Sequence, residues 1–233
     1  DEHFGAAGAF VEAESEEHGR FRQLGAVLAG MEPAVEPVRV PDPATTDTER
    51  PVRSITTGPH GLEGEGFPVV RAFAGLSAAD LDPFVHMDQM GEVEYEPGQP
   101  RGTDWHPHRG FETVTYMIAG RMRHHDSAGN QGLLGPGDVQ WMTAGSGLIH
   151  SELPEQQEGL MEGFQLWLNL PSARKMTAPS YRDIPAASIP EYETEDGVRV
   201  RVIAGEYRHI QGAVQRPDTE PLFLDVHMPA GSR

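Results

Sequence analysis

Trp105-His106-Pro107-His108-Arg109-Gly110-Phe111-Glu112-Thr113 and, about forty residues on, Gly147-Leu148-Ile149-His150-Ser151-Glu152 decide how this chain is read. In an extended segment successive side chains alternate between faces, so His106 and His108, two apart, point the same way and can reach one ion. The same spacing puts His150 and Glu152 on one face. Two such pairs on strands facing each other across a barrel form a four-ligand set of His106, His108, His150 and Glu152. One His-x-His in a chain of 11 histidines arises by chance. The second pair, beyond the Gly135-Pro136-Gly137-Asp138 turn, turns the match into a motif. Glu112 shares the parity of His106 and His108 and is the rival carboxylate. The expectation is Glu152 as ligand and as the catalytic carboxylate, with Glu112 behind the ligands, orienting an imidazole.

The donor set fixes the metal class. The chain has no cysteine, so thiolate sites, disulfides and cysteine nucleophiles are excluded. Three neutral imidazoles and one carboxylate suit Fe, Mn, Cu, Ni or Zn rather than Mg or Ca, and leave positions open for substrate, water or O₂. A structural zinc site would be closed by four tight ligands.

Outward from the motif, Val52 to Arg216 consists of short runs of Val, Ile, Phe, Tyr and Thr between Gly/Pro/Asp turns. That texture predicts an all-β sandwich or barrel. Strands are expected at Ser54–Thr56, Val69–Ala72, Phe84–Gln89, Phe111–Ile118, Arg121–His125, Gly132–Leu134, Val139–Thr143, Leu148–Glu152 and Met161–Asn169, with Ser77–Leu81 a short helical turn. A second group, Val198–Ala204 and Leu222–Met228, has too few strands to close a barrel of its own. In the first fifty residues Phe21, Leu24, Val27, Leu28 and Met31 stand at helical spacing before the Pro-rich stretch Pro33–Pro51. One helix and a linker are expected there.

With 18 basic and 36 acidic residues the formal charge is −18, which argues against direct binding of nucleic acid. No window approaches the roughly 20 apolar residues of a membrane span, and the start lacks a signal pattern, so no membrane association and a cytoplasmic location are expected. His124, His125 and Asp126 at a strand end are expected to be solvated turn residues. His86 has no spaced partner in this reading. Trp105, Phe111, Trp141, Met142, Phe164 and Trp167 could wall a pocket for a flat aromatic ligand, although core is the expectation for most. The single lysine, Lys175, is given no role.

The segments His106-Pro-His-Arg-Gly-Phe-Glu-Thr-Val114, Pro136-Gly-Asp-Val-Gln-Trp-Met-Thr-Ala-Gly145, Ile149-His-Ser-Glu152 and Leu166-Trp-Leu-Asn-Leu-Pro171 together resemble pirins, members of the cupin superfamily. The resemblance runs from about Pro51 to the C-terminus. It implies two antiparallel β-barrels in tandem with the metal in the first, held by His106, His108, His150 and Glu152, the set already reached from spacing. It implies residues 1–50 as an extension outside the family pattern, 51–170 as the cupin barrel with the metal site, and 171–233 as the start of a second, truncated cupin barrel. It further implies one divalent transition metal, iron foremost. The implied activity is quercetin 2,3-dioxygenase-type oxidative ring cleavage of a flavonol-like aromatic with O₂. The alternative it implies is a non-catalytic, iron-binding, redox-sensitive module that binds a protein partner.

Overall fold

The computed structural model describes residues 10–15, 19–24, 55, 57–96, 101–155 and 159–232. They fall into two compact units, one formed by residues 56–186 and 216–221, the other by the remainder.

In the smaller unit β1 (Phe10–Ser15) and β2 (Gly19–Leu24) pair as an antiparallel hairpin, with Glu12 opposite Arg22 and Glu14 opposite Arg20 in register. The helix expected in this region is therefore corrected at Phe21 and Leu24, which stand in a strand. Pairing of two segments is a contact between them, which a count of apolar spacing within one segment does not register. Val27, Leu28 and Met31 lie outside the described residues.

The larger unit carries the motif. Its strands are β3 (His60–Glu63), β4 (Phe67–Arg71), β5 (Phe84–Tyr95), β6 (Thr103–His108), β7 (Phe111–Ala119), β8 (Met122–Asp126), β9 (Gln131–Leu134), β10 (Val139–Thr143), β11 (Leu148–Pro154), β12 (Gly159–Asn169) and β13 (Ser180–Ile184). The short helix α1 (Ala78–Leu81) precedes β5, as the Ser77–Leu81 turn predicts. Seven strands form one antiparallel sheet in the order β13-β10-β7-β12-β5-β4-β3, and four form a second in the order β6-β11-β8-β9. Central β7, Phe-Glu-Thr-Val-Thr-Tyr-Met-Ile-Ala, is rich in β-branched and aromatic residues and buried along almost its whole length, the pattern of a strand covered on both faces.

Both sheets contribute to one apolar core. Phe67, Val69, Met90, Tyr95, Met117 and Met161 come from the seven-stranded sheet, and Met122 and Leu134 from the four-stranded one. Each such side chain, fully buried, contributes about 1.5–3 kcal/mol relative to exposure. The Gly135–Asp138 turn that leads into β10 is held by Asp138, whose Oδ2 accepts from the Gly135 N–H at 2.8 Å and whose Oδ1 accepts from the Ala186 N–H at 2.7 Å.

The larger unit runs past Pro171, the expected boundary, to Ala186 because β13 hydrogen-bonds to β10, setting Ile184 opposite Val139. The strands β3, β6 and β13 are additions to the expected set, while Ser54 and Thr56 lie outside the described residues. In the smaller unit β14 (Glu191–Glu193), β15 (Arg199–Ala204) and β18 (Phe223–His227) form a three-stranded antiparallel sheet. The strands β16 (Glu206–Tyr207) and β17 (Ile210–Gln211) pair separately. Tyr192, Val198, Val200 and Val202 make that unit's core. Among the described residues no helix is long and apolar enough to cross a membrane.

Candidate metal centre

The four-stranded sheet presents the expected donors on one face. In antiparallel pairing, residues directly opposite share a face. His150 on β11 lies opposite His106 on β6 and opposite Asp126 on β8, and Glu152 lies opposite His124. A register shift between His150 and Glu152 on the β6 side leaves this alternation intact on the β8 side.

Two overlapping trios of donor atoms result, each with all atoms within 4.8 Å of one another. His106, His108 and His150 form the first, and His124, His150 and Glu152 the second. The four residues expected from spacing thus fall across both trios, joined at His150. Their rings are packed together: the His106 and His150 centroids are 4.3 Å apart and tilted, His108 and His150 4.8 Å and His106 and His108 4.7 Å, both edge on.

Hydrogen bonds set which ring nitrogen each imidazole offers. His106 Nδ1 lies 2.7 Å from the Asp104 carbonyl oxygen, which can only accept, so Nδ1 carries the hydrogen and Nε2 keeps its lone pair. His124 Nε2 lies 3.5 Å from Asp126 Oδ2, and His124 Nδ1 lies 3.3 Å from His150 Nδ1. His124 Nε2 is buried and has no hydrogen-bond partner among the described residues. One hydrogen is shared between the two facing Nδ1 atoms, and placed on His150 Nδ1 it makes His124 Nδ1 the acceptor. His150 Nε2 is then left with a free lone pair. That atom is buried and has no hydrogen-bond partner among the described residues. Such an orphan is costly unless a ligand satisfies it, and a divalent ion does.

Electrostatics agree with neutral donors. Burial pushes His108 and His150 down to about 3, reinforced for His108 by His150 and His106 and for His150 by His106 and His124. Burial raises the Glu152 carboxyl above its ordinary range, against the pull of His124 and His106 and two hydrogen bonds. Those bonds hold it in place: Thr115 Oγ1 donates to Oε1 at 3.1 Å and Gln165 Nε2 to Oε2 at 3.0 Å. At Gly102 a Cβ would stand 2.3 Å from the Glu152 carbonyl oxygen, so glycine is required for the close approach of this segment to β11. At the turn after β6, Gly110 has φ +80°, and its carbonyl accepts from Lys175 Nζ at 2.9 Å, which also donates to Asn169 Oδ1 at 2.5 Å. The lone lysine thus ties the motif's turn to the end of β12.

A cavity of about 310 Å³ opens onto the cluster, lined by His106, His108, Glu152, Trp167, Met90 and Phe67 among others. Trp167 packs beside His108, its ring centroid 5.2 Å from His108 and 4.8 Å from Phe111. Of the residues expected as a possible pocket wall, Trp141 and Met142 are buried core, and Trp105 is 55% exposed.

A family model described as Pirin matches residues 66–168. A Pseudomonas aeruginosa protein whose name gives it a candidate quercetin 2,3-dioxygenase activity is 50% identical over 188 residues, covering 79% of this chain and 66% of that protein. Pirin of Mus musculus is 42% identical over 172 residues, covering 73% of this chain and 57% of that one. This chain belongs to the pirin family. The crystal structure of a quercetin 2,3-dioxygenase from Acinetobacter baumannii is 40% identical with a TM-score of 0.62, covering 69% of this chain and 58% of that one. The larger unit is accordingly an all-β cupin barrel. The chain spans 66% or less of the length of these pirin relatives.

Two expectations are corrected. His124 is fully buried rather than a solvated turn residue, stacked on Tyr181 at 4.6 Å and facing His150. The two-residue step from His124 to Asp126, opposite the His150 and Glu152 pair, was its available signal. Glu112 does not stand behind the imidazoles: it accepts from Thr143 Oγ1 at 2.6 Å and lies 3.4 Å from Arg216 Nε. Its register partner Thr143 and the neighbouring pair Val114 and Trp141 identify the alternate face of β7, opposite in parity to Thr115. The even spacing of four from His108 to Glu112 fails as a guide because β6 and β7 belong to different sheets, joined through the left-handed turn at Gly110.

Proposed function

We propose that this chain is a metal-dependent dioxygenase acting on a flavonol-like aromatic, of the quercetin 2,3-dioxygenase type, with His106, His108, His150 and Glu152 as the ligands of one ion. The observation that carries the reading is the buried, unpartnered Nε2 of His150, packed against His106 and His108, which line the cavity walled by Trp167. The ring-cleaving activity is supported by the names of the Pseudomonas and Acinetobacter relatives. Iron is the ion proposed, with Mn, Cu, Ni and Zn compatible with the same donors. When bound, the ion supplies Lewis acidity and redox activity toward substrate and O₂.

The chain's own residues do the rest. His124 orients the His150 ring by a hydrogen bond at Nδ1. Asp104 does the same for His106 through its carbonyl. Glu152 is the proton acceptor for a substrate hydroxyl, since burial raises its proton affinity and the Thr115 and Gln165 bonds fix its two oxygens. Phe67, Val69, Met90 and Trp167 form an apolar wall that binds a flat ring and excludes water from it.

The test is O₂ uptake and quercetin loss by protein loaded in turn with Fe, Mn, Cu and Ni. The expected result is O₂-dependent ring cleavage in step with ion loading. No O₂-dependent turnover with any of these ions would refute the enzymatic reading.

A further inference from the structure

Facing the same cavity from the other sheet is a His–carboxylate pair that the ligand set does not use. His86 and Asp88 stand two apart on β5, opposite Trp167 and Gln165 of β12 in register, and therefore on one face. His86 Nε2 lies 3.0 Å from Asp88 Oδ2, and the His86 ring lies against the Trp167 ring at 4.5 Å with 33° between planes. Both residues line the cavity. Asp88 is only 2% exposed, and its Oδ1 has no partner among the described residues. Arg71, opposite Asp88 in register, gives its guanidinium to Glu63 instead.

A buried carboxylate with a bare oxygen is expensive, and an apolar pair would fill the same space at lower cost. Nothing in the metal centre requires it, because the proposed ligands take their orientation from Asp104, His124, Thr115 and Gln165. What the pair does achieve is a fixed imidazole tautomer. The carboxylate only accepts, so Nε2 carries the hydrogen, and in the neutral imidazole Nδ1 is the acceptor. The His86 side chain is 24% exposed, which leaves part of the ring open to a ligand.

We propose that His86, oriented by Asp88 and stacked on Trp167, is a specificity-determining residue that accepts a hydrogen bond from a second hydroxyl of the aromatic ligand, remote from the hydroxyl presented to the ion. The class selected is a polyhydroxylated flat aromatic over a singly hydroxylated one of the same ring system. The inference rests on the flavonol reading above and names what that site discriminates.

Calorimetric titration of the nickel-loaded protein under anaerobic conditions separates the two. The ligands are quercetin and 3-hydroxyflavone, which keeps the hydroxyl next to the ring carbonyl and lacks the others. Wild type is expected to prefer quercetin by about tenfold, equivalent to about 1.4 kcal/mol. His86→Phe is expected to abolish that preference while keeping its affinity for 3-hydroxyflavone, which also shows that the cavity is folded. His86→Gln, whose side-chain oxygen accepts, is expected to restore part of it. A preference unchanged in His86→Phe, or equal loss of both ligands in that variant, overturns the specificity role and leaves the flavonol reading standing. Failure of wild type to bind either ligand overturns both.

Discussion

The two sheets of the larger unit differ in what they bring to the cavity. The four-stranded sheet β6-β11-β8-β9 concentrates His106, His108, His124, His150 and Glu152 on one face. The seven-stranded sheet places Trp167, Gln165, Thr115, His86 and Asp88 on a single parity. One sheet holds donors whose hydrogen bonds prepare lone pairs, and the other supplies a ring-stacking wall and the bonds that fix Glu152. Metal affinity should therefore be sensitive to one sheet and ligand selection to the other.

The largest effect expected is on the donor sheet. Glu152→Ala or His106→Ala should abolish ion binding and turnover together, measured by metal content after loading and dialysis. Retained stoichiometric metal in either variant would remove that residue from the set. On the opposite sheet, Trp167→Ala should leave metal content unchanged and weaken flavonol binding by more than tenfold in anaerobic titration, since stacking on this ring is lost. Loss of metal in this variant would erase the division between the sheets.

An intermediate effect is expected for His124→Ala, which leaves all four proposed ligands in place but removes the partner of His150 Nδ1. Metal affinity should fall by about 10- to 100-fold, the usual cost of losing a group that orients a ligand. Unchanged affinity in a competition titration would mean that His150 needs no support.

The smallest effect concerns Glu162 on β12, which burial first, and then Glu92, pushes up to about 7. A carboxyl whose folded value lies above its unfolded value favours the fold fully below the unfolded value near 4.5, and that contribution is lost as pH rises through about 7. Glu162→Gln stays neutral and keeps an acceptor for Gln89, whose Nε2 bonds Glu162 Oε1 at 3.2 Å in the wild type. Its Tm should accordingly fall less than that of wild type between pH 5 and pH 8. Parallel Tm profiles for the two proteins would show that Glu162 titrates normally.

How much of this was legible in the sequence follows the range of the interactions. His106 with His108 and His150 with Glu152 were readable because strand alternation is local and each pair lies within one strand. The barrel itself is readable from β-rich runs such as Phe111–Ile118 between glycine turns. Spacing misplaces Glu112 because parity does not survive a change of sheet, and Gly110 is where the chain makes that change. The burial of His124 is not local, since it depends on β8 pairing with β11, a contact made by residues 26 apart. Asp88 and His86 escaped for the same reason, since only the pairing of β5 with β12 brings them to Trp167. The strand Ser180–Ile184 carries too few apolar residues to announce itself and is defined by its hydrogen bonds to β10.

The most direct test of the central claim is X-ray absorption on the nickel- or iron-loaded protein, counting imidazole ligands by their multiple-scattering signature. Coordination by His106, His108, His150 and Glu152 predicts three imidazoles and one carboxylate oxygen on a single ion, with the imidazole count falling to two in His106→Ala wherever residual metal remains. Two imidazoles in wild type, unchanged in His106→Ala and reduced in His124→Ala, would contradict it and assign the ion to His124, His150 and Glu152.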